Sequence, residues 1–586
     1  MTWKPDRSYD ALLKAETGAI RKDGGAFPRV ALVYPNAYGM GMSNLGFQTV
    51  YGLLNRMDGV ACERAFLPSP ALANATDIVT LESGRRLAEM DVIAFSISFE
   101  NDYLHLLTLL NAAGLPLLSE ARTDAHPLVM AGGVACLINP EPIAPFMDGF
   151  LLGEAETGLE PLFDILAEDL RRRDRSSLLA RLARTVPGFY APRFYTPSYY
   201  PDGRLRDVVP SHGVPETVRR QYPADLTDVA TCSEVLAPGT TFDNAFLIEV
   251  SRGCPHGCRF CSAGYVYRPA RFRSGDTLQS CIEKGGALSR HIGLVGAAVS
   301  DFPDIGGICA RFDHSDVRFS FSSLRADALT GDLLDTLEHS GVKTATIAPD
   351  GGSERMRRVI NKNLTEAQIL EAAEALVAGG IPNLKLYFMV GLPTETESDV
   401  TAIVDLCKAI KARFLAASRD RGRIGIITVS VNPFVPKPFT PFQWAPMADV
   451  ATLKKRIRRI KKDLKGVANL RISAASPRTA HVQGLLSRGD RRVARILTLA
   501  HENGGNWAQT LKETPLPPAF YTTRPRSREE RFPWEIVDPG VDRAYLWREY
   551  QRALNGRTTP PCPADGCTRC GVCAGGAEPA AAVASA

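Results

Sequence analysis

The stretch Phe246-Leu-Ile-Glu-Val250-Ser251-Arg-Gly-Cys254-Pro-His-Gly-Cys258-Arg-Phe-Cys261 joins two unlike patterns. Phe246–Val250 is a short apolar run that predicts a buried strand. It empties into Cys-x3-Cys-x2-Cys, with an aromatic, Phe260, before the last cysteine. Three thiolates this close on a tight loop suit three corners of a cubane iron–sulfur cluster. The fourth iron is then left without a protein ligand, as a catalytic metal keeps one position open for a cosubstrate. Gly253 and Gly257 let the backbone wrap closely. A zinc loop using His256 is the alternative, and the position of the loop directly after a strand favours the cluster.

Working outward, Phe246–Val250, Gly293–Val299, Val317–Ser322, Thr344–Ala348, Leu384–Val390 and Gly425–Val431 are apolar or β-branched runs with helix-like stretches between them. Thr365 and Gln368 make a capping box before Ile369, Leu370, Ala373, Leu376 and Val377 on one face, and Gly379-Gly380 ends that helix. Six strand–helix units over 241–445 predict a partial (β/α)6 TIM barrel with its chemistry at the strand carboxyl ends. Upstream, Val30–Tyr34, Val92–Ser98, Leu128–Ala131 and Phe150–Gly153 alternate with helical stretches. Residues 28–160 therefore read as an α/β, Rossmann-like (flavodoxin-like) domain with an open parallel sheet. An extension (1–27) precedes it and a linker region (161–240), with a basic run at Arg171–Arg175, follows. After the barrel come a mainly helical region (446–555), a cysteine-rich tail (556–575) and an Ala-rich end (576–586) expected to be disordered.

The chain has 586 residues, 45% hydrophobic and 23% charged, with a net charge of +5. That is enough for several cores. The mild basicity permits an anionic partner without requiring one. No run of about 18 apolar residues appears, so no membrane span is expected. The start lacks a signal-peptide pattern, which points to the cytoplasm. Thirteen unevenly spread cysteines in a reducing compartment read as metal ligands or thiols rather than disulfides.

The cysteine loop resembles the signature of the radical S-adenosylmethionine (SAM) superfamily. The resemblance implies a 4Fe–4S cluster at Cys254, Cys258 and Cys261, with SAM chelating the open iron through its amino and carboxylate groups. An electron, from a donor such as flavodoxin or ferredoxin, would then cleave SAM to methionine and a 5′-deoxyadenosyl radical. Further segments are similar to the family's. Ile347-Ala-Pro-Asp350-Gly-Gly-Ser353-Glu354 resembles its Glu-Ser-Gly-Ser segment, with Asp350 where Glu is usual. Asn361-Lys362 resembles its Asn-Lys after the following helix, and Gly391-Leu-Pro393-Thr-Glu-Thr396 and Asn432-Pro-Phe resemble its fifth- and sixth-strand ends. Gly296-Ala-Ala-Val-Ser300-Asp301 stands where a Gly-rich segment meets the SAM amino group, although Gly-Gly-Glu is absent. The implied SAM contacts are Phe260, Gly296, Ser300, Ser323, Arg325, Asp350, Ser353, Lys385, Gly391, Pro393 and Asn432. Arg325 is read either as a partner of the SAM carboxylate or as a structural ion pair.

Residues 28–160 resemble the cobalamin-binding domain found upstream of many such barrels, through Ala131-Gly132-Gly133, Asn139-Pro140-Glu141-Pro142 and Gly153-Glu154-Ala-Glu156. The loop that should carry the cobalt-ligating His, Pro35-Asn-Ala-Tyr-Gly-Met-Gly41, has none. Either the domain binds cobalamin without a protein ligand or it is a scaffold that helps hold the substrate. In the tail, Cys562, Cys567, Cys570 and Cys573 are a strong metal signal, for zinc or an auxiliary iron–sulfur cluster. The stripe Leu453, Ile457, Ile460, Leu464 is surrounded by Lys and Arg, either a solvated face or an RNA contact. The expected activity is a radical SAM enzyme acting on an unidentified substrate. Cobalamin-dependent methyl transfer, RNA modification and a non-catalytic regulatory role are the alternatives.

Overall fold

Strand and helix alternate along most of the chain, and the strands assemble into mainly parallel sheets. The computed structural model describes residues 7–22, 25–68, 78–242, 244–312, 316–322, 324–419, 422, 424–563 and 566–575. Arg29–Tyr34 (β1), Ala61–Phe66 (β2), Val92–Ser96 (β3), Leu128–Gly132 (β4), Gly149–Leu151 (β5) and Phe189–Tyr190 (β6) form one sheet in the order β2-β1-β3-β4-β5-β6. The first five run parallel and β6 is antiparallel to β5. Both faces are covered, so β1 needs apolar residues throughout. Val30 and Leu32 pack with the helices Leu45–Arg56 and Ala155–Asp169, while Ala31 and Val33 pack with Tyr103–Ala112.

The first unit extends past residue 160. Helix Ala155–Asp169 runs across that position, and β6 adds a strand from the region read as a linker. That region also holds the helix Arg175–Thr185 and the hairpin Tyr195–Tyr199/Leu205–Pro210. The N-terminal extension is fastened to the sheet, since Glu16 meets the buried Arg64 at 2.6 Å.

The second unit has more strands than the sequence suggested. Phe246–Glu249 (β7), His291–Val295 (β8) and Arg318–Phe321 (β9) form one parallel sheet. Thr344–Asp350 (β10), Asn383–Val390 (β11), Ile427–Pro433 (β12) and Leu470–Ala474 (β13) form another. β13 corrects the expectation that 446–555 is mainly helical from its start. Leu470, Ile472 and Ala474 are partly covered and Arg471 and Ser473 exposed, a short alternation that follows directly on a long amphipathic helix. Beyond it, Pro477–Arg488, Val493–Glu502 and Arg543–Leu554 are helices, as expected. The capping box at Thr365 and Gln368 opens the helix Glu366–Ala378. No helix among the described residues is long and apolar enough to cross a membrane. Residues 576–586, expected to be a disordered end, lie outside the described residues.

The two units meet through buried charge. Glu154, just beyond β5, accepts from Arg252 at 2.7 Å and from Arg271 at 2.6 and 3.0 Å. Arg252 also reaches Glu156 and Glu249. Removing one partner of a buried pair strands the others, which costs about 3–5 kcal/mol. Glu154→Ala should therefore lower the urea midpoint of the full chain clearly. An unchanged midpoint would mean the network contributes little.

Candidate functional site

The cysteine loop is fixed from both ends. Val250 donates to Val295 O, and Ser251–Arg252 pairs antiparallel with Arg271–Phe272. Gly253 has φ +83°, and a Cβ there would stand 2.5 Å from Tyr267 O. Only glycine takes that turn without strain. Farther along, Arg259 is fully buried and donates to the carbonyls of Arg358, Val359 and Arg557 and to the Glu549 carboxylate. Gly257 O accepts from Asn361 Nδ2 at 3.1 Å and from Tyr265 OH at 3.1 Å. Asn361 thus has a loop-anchoring role.

Cys258 is buried, and Cys254 and Cys261 are partly covered. Burial pushes the Cys254 thiol up to about 12 and Cys258 up to about 11, and it raises Cys261 as well. A thiol must lose its proton to bind a metal, and a desolvated one does so readily only beside a cation. Lys362 stands over the loop, 2.9 Å from Asp350. Its burial alone would lower its pKa, but Asp350 and Cys258 outweigh that and raise it.

His256, the alternative zinc ligand, contacts Asp301 Oδ2 at 2.5 Å and so ties the loop to the segment after β8. Among the described residues, no three His, Cys, Asp or Glu side chains form a closed ligand set for one metal ion. A cubane asks for less, because its three thiolates sit on three different irons.

The remaining sequence candidates fall into groups. Gly296 and Ser300 follow β8; Gly296 N donates to Ser322 Oγ, and Arg325 N donates to Ser300 Oγ, both at 3.1 Å. The Arg325 guanidinium is paired with Asp327 at 2.7 Å and lies 3.9 Å from Asp301. Asp350 ends β10 in a left-handed conformation, φ +61°. Ser353 caps the helix Glu354–Val359 and donates to Asp399 Oδ1 at 2.6 Å. Gly391 takes φ +85° after β11, Pro393 is half-buried in the same turn, and Asn432 pairs in register with Met389. Lys385 lies lower, level with Thr346 and Thr428, with its ammonium over the Tyr387 ring. Phe260 packs against the cluster of Met356, Ile360, Leu392 and Phe434, which joins the cysteine loop to the ends of β11 and β12. Ser323 lies outside the described residues.

The tail returns to the loop. Thr559 N donates to Asn361 Oδ1 at 2.8 Å, and Cys562 N donates to Pro255 O at 2.9 Å. Cys570 is buried, while Cys562, Cys567 and Cys573 are partly covered. Burial raises Cys562; at Cys567 burial is outweighed by hydrogen bonds from Arg569, and the thiol is lowered. On the basic helix Val450–Asp463, Leu453, Ile457 and Ile460 are buried. Arg456 is paired with Glu395 and Glu397, and Arg459 with Glu397, so part of the positive face is neutralised.

Comparison with known proteins agrees with this geometry. Residues 248–407 match the radical SAM superfamily, and residues 46–192 match the family described as radical SAM proteins, N-terminal. The uncharacterized protein MJ0966 of Methanocaldococcus jannaschii is 30% identical over 471 residues, covering 80% of this chain and 90% of that protein. The chain belongs to the radical SAM superfamily and is a radical SAM enzyme. It is also similar to the uncharacterized methyltransferase PH0819 of Pyrococcus horikoshii, at 23% identity over 48% of this chain and 58% of that one. Among solved structures, the cobalamin-dependent SAM radical enzyme OxsB, with aqua-cobalamin and SAM bound, aligns with TM-score 0.42 and 16% identity. That alignment covers 67% of this chain and only 56% of OxsB.

Gly253→Ala imposes a left-handed alanine, worth about 1–2 kcal/mol of strain, together with the Tyr267 clash. After anaerobic reconstitution it should retain less iron and sulfide than the wild type. Gly257→Ala, whose Cβ meets the Asn361 amide at 3.2 Å, is the milder change. Equal iron in Gly253→Ala and wild type would remove the loop's geometric role.

Proposed function

We propose that Cys254, Cys258 and Cys261 hold a 4Fe–4S cluster whose open iron takes SAM through its amino and carboxylate groups. The observation that carries this reading is a set of three desolvated thiols on a loop anchored at both ends, with Lys362 beside it. When bound, the reduced cluster supplies reductive cleavage of SAM to methionine and a 5′-deoxyadenosyl radical, which takes hydrogen from a substrate. The electron comes from a flavodoxin- or ferredoxin-type donor.

The chain's own residues hold and shield the reactants. Gly296, Ser300 and Arg325 would hold SAM from one side, and Asp350, Ser353, Gly391, Pro393 and Asn432 from the other. Phe260 covers the cluster, and Lys385 lies deeper, among the strands. In this reading β7–β13 are a partial barrel with one added strand. The first unit is flavodoxin-like, in keeping with its β2-β1-β3-β4-β5 order. We take that unit as a substrate-holding scaffold rather than a corrin carrier. The β1 loop, Pro35–Gly41, lacks His. The tail cysteines Cys562, Cys567, Cys570 and Cys573 are the candidate ligands of a second metal centre, zinc or iron–sulfur, and their thiols would have to draw together around it, since the described residues hold no such group in place.

Product analysis separates the readings. Full-length protein, reconstituted anaerobically and given SAM and dithionite, should form 5′-deoxyadenosine, and each single Cys→Ala change in the loop should abolish it. Added cobalamin should yield no S-adenosylhomocysteine. Wild-type turnover in any of the three variants contradicts the cluster assignment, whereas cobalamin-dependent S-adenosylhomocysteine would indicate methyl transfer.

A further inference from the structure

A cavity of about 480 Å³ opens between the two units, at the carboxyl ends of β1, β3, β4 and β5. In sheets of this order ligands bind where the strand order reverses, here beside β1 and β3. The volume falls within the ~300–1,000 Å³ of small-molecule sites. Inside the first unit its walls are mainly aliphatic and aromatic, among them Leu45, Leu54, Met130 and Phe163, with Asn44 and Ser98 bonded to each other at 3.0 Å. At the other end it is bounded by Ser251, Gly253 and Gly296, against the cysteine loop. Gly132, Gly153 and Gly253 on its lining keep the strand ends bare.

Two features define the chemistry of that inner end. Ser251 is 3% exposed, and its Oγ has no hydrogen-bond partner among the described residues. A buried hydroxyl without a partner is costly, and a ligand's polar atom would recover that cost. The cation on the lining, Arg252, is by contrast already paired. Arg252 is spent on Glu154, Glu156 and Glu249, and those carboxylates also receive Arg271 and Arg273. A charged ligand group would find no free counter-ion there and would have to break an existing pair.

We infer that this cavity is the substrate chamber. It takes a small molecule with an aliphatic body and an uncharged polar head, and the head is hydrogen-bonded by Ser251 Oγ next to the cysteine loop. The assignment as substrate rests on the radical SAM reading above; the binding itself does not.

The test uses the purified full-length chain and a neutral apolar fluorophore, N-phenyl-1-naphthylamine, displaced by 1-decanol, decanoate or decylamine. Saturable binding is expected, weakened at least tenfold in Val50→Trp and in Thr49→Phe, two half-buried positions on the cavity wall. Circular dichroism identifies which of the two variants is folded. Decanol should displace the probe at least tenfold better than either charged amphiphile, and Ser251→Ala should weaken decanol severalfold. No saturable binding to the wild type, or unchanged binding in a folded filled variant, overturns the chamber. Equal displacement by the charged amphiphiles overturns the uncharged head. SAM cleavage is assayed on the same samples. Probe binding without 5′-deoxyadenosine removes the radical reading and leaves the ligand site standing, and the reverse removes the chamber alone.

Discussion

The carboxylate of Glu154 joins the two halves of this protein. It lies at the end of the N-terminal sheet and is taken up by Arg252 and Arg271, residues of the two short strands that clamp the cysteine loop. Charges this deeply buried are tolerable only when every partner is present. The pairing therefore fixes where the first sheet ends relative to Cys254, two residues beyond Arg252. Glu249, drawn into the same network, stays ionised: burial alone would raise its pKa, and Arg252 and Arg273 overcome that and lower it.

From that junction the arrangement of the site follows. The loop leaves a buried strand, turns at Gly253 and is held at its far end by Arg259 and Asn361. The same Asn361 receives Thr559, so the cysteine-rich tail is held against the loop by the residue that anchors it. His256 and Asp301 complete the enclosure from the side of β8. Cys258 is thereby buried and Cys254 and Cys261 partly covered, on a loop whose Gly253 lines a cavity.

How much of this was legible in the sequence depends on distance along the chain. Cys254, Cys258 and Cys261 are local, and their spacing together with the strand before them pointed to a cluster loop. The capping box at Thr365 and Gln368 is equally local and opens its helix as read. β13 alternates Leu470, Ile472 and Ala474 with Arg471 and Ser473, a legible strand period, but at five residues behind a long amphipathic helix it was passed over. The position of Glu154 was visible in Gly153-Glu154-Ala-Glu156, but its partners lie about 100 residues away and no spacing rule reaches them. The return of Cys562 to Pro255 is hidden in the same way. Ser353 read as a cofactor contact, and in the structure its hydroxyl is engaged as a helix cap and by Asp399; one short motif can serve both purposes.

The central claim is that three protein thiolates leave one iron open for SAM. Electron paramagnetic resonance of the dithionite-reduced, reconstituted full-length chain tests it directly, with spectra taken before and after SAM is added. A 4Fe–4S signal whose g values shift on addition of SAM is the predicted result. An intact cluster whose spectrum ignores SAM would contradict it.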